Sequence, residues 1–178
     1  MSNQEKRIEI LTKDELSDVL KRLTNEILQK VVEPKDIILI GIPTRGVNLS
    51  EIIALEIFKK IGYEVKRGII DPTFHRDDHT RVLTKAIKVD SIPSSLDKKD
   101  IILIDDVIHT GRTVRASIEA INFWGRPKKI MLLTMIDRGH RELPIQPDFC
   151  GRYFLTKKDQ NIELRLKSLD EIEGVFLV

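Results

Sequence analysis

Apolar residues recur at helical spacing between residues 14 and 32, where Leu16, Val19, Leu20, Leu23, Ile27 and Val31 form one stripe. Thr12, three residues before Glu15, has the pattern of a capping box, and Pro34 closes the helix. The period then changes. Ile37–Ile40 and Ile101–Ile104 are continuous apolar runs that suit strands buried on both faces, and Lys129–Ile136 reads as a third strand. Helical spacing returns over Leu49–Ile61, ending at Gly62, and over Val114–Phe123, closed near Gly125 with Pro127 beyond. Glu64–Ile70 reads as another strand, and Phe149–Leu155 and Ile162–Leu166 as short final ones. Residues 71–85 have no period and read as a loop or arm. Strand–helix–strand alternation predicts an α/β fold around a mostly parallel sheet covered on both faces. Residues 1–178 read as a single domain.

Length and composition fit that reading. A chain of 178 residues buries roughly 70 % of the surface that it would expose unfolded, so it needs no disulfide or metal staple. The lone Cys150 rules out a disulfide framework and a cysteine-based zinc site, and fits a reducing compartment. The start of the sequence has no apolar targeting stretch, and the longest apolar runs fall far short of the ~20 residues that span a bilayer. The expectation is a soluble, cytoplasmic protein.

The formal charge of +2 hides a segmental pattern. Residues 66–88 carry six basic against three acidic groups, and residues 126–158 eight against three, whereas the last twenty residues are acidic. Basic stretches of this size are either solvated surface or handle anions, such as substrate phosphates or RNA.

The stretch from Ile101 to Ile121 carries the most chemistry. Four apolar residues place Asp105 and Asp106 at the carboxyl end of a strand, the edge at which open α/β sheets bind ligands. Thr110, Gly111, Arg112 and Thr113 then lead into a helix, whose free N–H groups and positive dipole end suit a phosphate. Two carboxylates beside a phosphate cradle describe a ribose 5-phosphate site, and the same oxygens suit Mg²⁺, directly or through water. Two alternatives stay open on the residues alone. A carboxylate pair at a strand end also binds Mg²⁺ in receiver domains, where it follows the first strand, and the glycine-threonine loop suits a plain capped turn.

The pattern DDVIHTGRT after a buried strand resembles the phosphoribosyl pyrophosphate (PRPP) signature of type I phosphoribosyltransferases. Together with GRPKKI and DRGHRELPIQPD it resembles the family of pyrimidine operon attenuation proteins (PyrR), which are also uracil phosphoribosyltransferases. The resemblance implies a central parallel sheet flanked by helices, a flexible arm and a small hood. It implies uracil and PRPP, with Mg²⁺, giving UMP and pyrophosphate, and UMP or UTP as regulatory ligands. The nucleotide site would comprise Thr44, Arg45, Asp105, Asp106, Val107, Ile108, His109, Thr110, Gly111, Arg112 and Thr113. Asp105 and Asp106 would hold the ribose hydroxyls and the metal. Arg45 would grip pyrophosphate, Gly41 and Gly46 would let the backbone curl around its oxygens, and a non-proline cis peptide is expected at Thr44–Arg45. Residues 71–85, with Arg76, Asp77 and Asp78, would close over the substrate. Residues 137–147 would line the base pocket, with Arg138 and His140 near the base mainly through backbone groups and stacking. His109 stands where the family usually has tyrosine, and an imidazole there suits a proton transfer from the base.

The same resemblance implies an RNA stem-loop in a messenger leader as partner, and a homodimer or homotetramer. The RNA candidates are Lys21, Arg22, Asn25, Lys30, Arg141 and Arg152. Asn25 and Lys30 replace the usual His and Arg, and Gln146 replaces an Arg, so this face drifts while the catalytic loops keep the family pattern. Two other readings are a nucleotide sensor with little turnover and a transferase for another nucleobase.

Overall fold

The computed structural model describes residues 7–75, 91–92 and 95–178. Strand β1 (Ile8–Leu11) leads into α1 (Lys13–Lys30). Thr12 caps α1 as its sequence predicts: the Glu15 N–H donates to Thr12 Oγ1 at 3.3 Å, and the Thr12 N–H donates to Glu15 Oε2 at 2.8 Å. The helix ends two residues before the expected Val32, because Val31 is already extended and Pro34 opens a 3-10 turn over Pro34–Asp36. Its stripe of Leu16, Leu20, Leu23 and Ile27 is buried, each side chain stabilising by about 1.5–3 kcal/mol.

Then come β2 (Ile37–Gly41), α2 (Arg45–Ile61), β3 (Lys66–Ile69), β4 (Asp100–Ile108), α3 (Arg112–Phe123), β5 (Lys129–Asp137) and β6 (Phe149–Tyr153). The five strands form one sheet in the order β3-β2-β4-β5-β6, parallel throughout. Alternation sorts their side chains. Leu39, Ile102, Ile104 and Leu133 pack with α1 and α2 on one face, and Ile38, Ile40, Ile101, Leu103 and Leu132 pack with α3 on the other. This double burial is what the unbroken apolar runs signalled.

Three short strands, β1, β7 (Ile162–Arg165) and β8 (Gly174–Leu177), form a separate antiparallel sheet in the order β1-β8-β7. It covers the α1 side, with Leu11, Leu164, Val175 and Leu177 joining that core. β1 and β8 were not anticipated: each has four residues, and its pairing partner lies at the other end of the chain. A 3-10 turn over Pro72–His75 begins the segment read as an arm; the proposed lid residues Arg76, Asp77 and Asp78 lie outside the described residues.

Parallel strands put every carboxyl end at one edge. The connection leaving β2 runs to β3 on one side, and the connection leaving β4 runs to β5 on the other, so the chain reverses direction between β2 and β4. That is the position at which α/β sheets form a ligand crevice.

Candidate active site

β4 continues through both carboxylates to Ile108, in register with β5 from Asp100↔Lys129 to Ile108↔Asp137. The expectation of a loop from Asp105 to Thr113 is therefore corrected; only residues 109–111 separate strand from helix. Strand geometry fixes the pair more firmly than a loop would. Asp105 is buried and Asp106 half-buried. Asp105 Oδ1 accepts from the Asp106 N–H at 2.9 Å, and Asp106 Oδ1 accepts from the Val107 N–H at 2.9 Å.

Gly111 has φ 92°, the left-handed backbone that turns the chain into α3. It caps the helix without a side chain. The Arg112 N–H reaches Thr110 Oγ1 at 3.3 Å. Across the crevice α2 also starts without a side-chain cap, at Thr44, which is exposed. The contrast is α1, closed by its capping box. Both helices that begin at this edge thus present backbone N–H groups and a positive dipole end on either side of two carboxylates.

The loop after β2 differs from expectation in its cis peptide and in where the next helix starts. Its cis peptide is Pro43–Thr44, one residue earlier than expected. Gly41 and Gly46 also have a packing role that the sequence did not signal. A Cβ on Gly46 would stand 2.3 Å from Ile104 O, and one on Gly41 2.5 Å from Val47 Cα, so the glycines let α2 begin directly against β2 and β4. The helix consequently starts at Arg45, four residues before the expected Leu49. Arg45 Nη2 donates to Asp170 Oδ1 at 3.2 Å, and its buried Nε has no hydrogen-bond partner. Asp170 lies between β7 and β8, where the sequence showed only an acidic tail.

The 137–147 loop is bound to the glycine loop. The Glu142 and Leu143 N–H groups donate to Thr110 O at 3.0 and 3.2 Å, and Arg112 Nε donates to Glu142 Oε2 at 2.7 Å. Arg141 staples the loop: its guanidinium donates to Ile145 O and His109 O, each at 2.8 Å, and pairs with buried Asp137. Arg141, expected as an RNA contact, has its donors engaged inside the site. Arg138 is 6 % exposed, and donates to Thr156 Oγ1 and Asn161 Oδ1 at 3.0 Å and to Gln160 O. Burial pushes its pKa down from the ordinary arginine value. Its side chain ties β5 to the segment before β7. Gly139 and His140 both take left-handed backbone (φ 77° and 59°), and His140 Nε2 donates to Thr156 O at 2.6 Å. The exposed His140 ring stands edge-to-face with His109, centroids 5.6 Å apart. Burial, then the charges of Arg138 and His140, hold the His109 imidazole below its usual pKa.

The remaining RNA candidates collect elsewhere, on α1 and β6. Arg22 bonds Cys150 O at 3.1 Å and Gly151 O at 2.6 Å, joining helix to strand. Lys21 pairs with Asp18 at 3.5 Å, Arg22 with Glu26 at 2.6 Å, Lys30 with Asp148 at 2.8 Å and Arg152 with Glu15 at 3.8 Å. Asn25 is exposed beside them.

Sequence reasoning missed Asp137, Glu142 and Asp170. Asp137 and Arg141 stand four apart in the quoted DRGHR stretch, and that spacing of opposite charges was the available signal. Nothing local marked Asp170. A groove of about 310 Å³ between α2 and β3 lies away from this chemistry and is lined by Leu55, Phe58, Val65 and neighbours.

Residues 8–162 match the phosphoribosyl transferase domain family. The chain is 44 % identical over 171 residues to the bifunctional protein PyrR of Microcystis aeruginosa, covering 96 % of this chain and 97 % of the relative. It is 41 % identical over 171 residues to the bifunctional protein PyrR of Synechocystis, covering 96 % of each. Among solved structures, a hypoxanthine phosphoribosyltransferase from Trypanosoma cruzi superposes with TM-score 0.74 at 12 % identity, over 97 % of this chain and 95 % of that one. At that identity the likeness concerns the fold alone.

Proposed function

The chain belongs to the bifunctional PyrR family of the phosphoribosyl transferase domain, and from that premise we propose that it converts uracil and PRPP to UMP and pyrophosphate and regulates pyrimidine genes by binding leader RNA. One observation carries the enzymatic half: two helix starts without side-chain caps flank the Asp105–Asp106 pair where the sheet changes direction.

The roles follow from position. The α3 start, with Thr110, Gly111, Arg112 and Thr113, holds the 5-phosphate. Asp105 and Asp106 accept from the ribose hydroxyls and stabilise positive charge that develops at the ribose carbon. Val107, Ile108 and His109 support the ribose and base end. Thr44 and Arg45 at the α2 start receive the pyrophosphate, Arg45 exchanging Asp170 for phosphate oxygens. The 137–147 loop, held against Thr110 and His109, lines the base pocket. His109, whose burial disfavours the charged imidazole, accepts the proton that leaves the base nitrogen. Arg76, Asp77 and Asp78 of the 71–85 arm belong to the same reading as the lid.

Asp105 and Asp106 offer hard oxygen donors that fit Mg²⁺. Among the described residues no cluster of three or more His, Cys, Asp or Glu groups suits a metal, so the pair would share the ion with water and substrate oxygens. Such an ion supplies neutralising charge to the pyrophosphate as it leaves.

Lys21, Arg22, Asn25, Lys30 and Arg152 form the RNA face in this reading, responsive to UMP or UTP. A single domain over 1–178, a cytoplasmic location and a homodimeric or homotetrameric assembly complete it; no described helix is long and apolar enough to cross a membrane.

The test is product formation from PRPP with uracil, hypoxanthine or guanine, alongside a gel shift with the pyrimidine leader RNA. UMP formation with nucleotide-stimulated RNA binding is expected. Turnover of a purine base in preference to uracil overturns the substrate, and nucleotide binding without turnover leaves a sensor.

A further inference from the structure

The guanidinium of Arg45 is only half satisfied by its acid. Nη2 donates to Asp170, at 3.2 Å to Oδ1 and 3.5 Å to Oδ2, while the adjacent Nε is buried without a partner among the described residues. Asp170 therefore engages one donor of the Nε–Nη2 edge and leaves the other unmet.

Asp170 is itself fixed and cannot follow a moving partner. Its Oδ2 accepts from the Leu166 N–H at 2.9 Å, and its own N–H donates to Leu166 O at 2.8 Å, as does the N–H of Leu169. Leu166 is buried in the core on the α1 side, which anchors the turn between β7 and β8. The same turn meets the first turn of α2, where Asn48 Nδ2 donates to Ser168 Oγ at 3.4 Å.

We propose that Asp170 is a built-in competitor for Arg45, which it holds while the pyrophosphate end is empty and takes back as pyrophosphate leaves. The inference rests on the transferase reading, in which the α2 start receives pyrophosphate. A phosphate gripped bidentately takes two parallel N–H groups from one edge of a guanidinium. On the Nε–Nη2 edge one of these groups is unmet and the other is on Asp170, so a bidentate phosphate must displace the carboxylate. Because the turn holds Asp170 in place, the displaced carboxylate stays half-buried without its cation. Affinity for pyrophosphate is thus lowered by whatever the pair contributes in the empty protein. That loss favours release of the product, a step that limits turnover in many enzymes. Asp170 acts through Arg45 and is a positioning residue, not a catalytic one.

The test is a double-mutant cycle on the full chain, titrated with pyrophosphate in the presence of Mg²⁺ and followed by calorimetry. Asp170→Asn keeps an acceptor for the Leu166 N–H and removes the charge. It should tighten pyrophosphate binding about fivefold, the upper range for an ion pair near the surface. The inhibition constant of pyrophosphate against PRPP should fall by the same factor. Asp170→Ser, a smaller uncharged acceptor, should act in the same direction. Arg45→Gln should weaken binding, and in that background Asp170→Asn should change it by less than about twofold.

Unchanged or weaker binding in both Asp170 variants overturns the proposal and leaves Asp170 a brace for α2. Equal tightening with and without Arg45 traces the effect to the bare charge of Asp170 and also overturns it. An unsubstituted chain that binds neither pyrophosphate nor PRPP sinks the transferase reading, and this inference with it.

Discussion

At the carboxyl edge of the sheet, charged side chains are locked by buried partners while two helix starts stay without side-chain caps. On the α1–β6 face the arrangement is reversed: the helix start is capped, and Lys21, Arg22, Lys30 and Arg152 each face an acid at the surface. Formal charge is a poor guide to either region. The edge attracts anions through backbone dipoles that no charge count includes. The face carries cations whose fields are largely cancelled nearby. In the proposed reading the first region holds a phosphorylated ligand in one geometry, and the second binds a polyanion only by exchanging its own acids for phosphates.

The sharpest break of this contrast is Asp106→Asn, which keeps the shape and removes one charge from the edge. UMP formation should fall by roughly 10²-fold or more, the scale of losing one positioned electrostatic contact in a transition state. A rate within threefold of the unsubstituted enzyme, with unchanged circular dichroism, would remove the carboxylate from the mechanism.

Next is a pair of stability measurements. Arg141→Gln leaves Asp137 buried without its cation, and denaturant unfolding should show a loss of ~3–5 kcal/mol. Lys30→Gln breaks a solvent-exposed pair, with a cost of ~0.2–1 kcal/mol. Equal costs would erase the distinction between a locked edge and a solvated face.

The legible part of the molecule is the part governed by local pattern. Double burial makes β2, β4 and β5 unbroken apolar runs, and Thr12 with Glu15 announces α1 at the correct residue. The strand-end carboxylates and the Thr110–Gly111 turn were readable because a dipole site and a left-handed turn need particular residue types at fixed offsets. What could not be read depends on distant partners. β1 and β8 pair from opposite ends of the chain. Arg141 looked like a surface cation until the fold set Asp137, Ile145 O and His109 O around it. Gly41 and Gly46 looked like loop glycines because the approach of α2 to β4 is a tertiary fact. Asp170 reaches Arg45 across 125 positions of sequence, and no periodicity marks such a contact.

RNA binding sharpens the comparison at intermediate scale. If the α1–β6 cations meet phosphates, Arg22→Gln and Lys30→Gln should each reduce the salt slope of leader binding by about 1, with UMP formation intact. An unchanged slope in both variants would move the RNA off this face.

The smallest effect concerns His109, which touches both kinds of electrostatics. Its pKa is lowered in the folded protein, first by burial and then by Arg138 and His140. Between its folded pKa and the ordinary histidine value near 6.5, the unfolded chain therefore binds more protons than the folded one. Stability must then fall as the pH drops below about 6.5 and level off below the folded pKa. His109→Phe removes this contribution, so its melting temperature should drop less than that of the unsubstituted chain between pH 7.5 and pH 5.5. The same variant separates packing from proton transfer. If the imidazole accepts the proton from uracil, kcat falls and the acidic limb of the rate profile disappears, while KM for PRPP changes little. Unchanged kcat and an unchanged pH profile, together with the altered melting curve, would leave His109 a half-buried ring with no part in the chemistry.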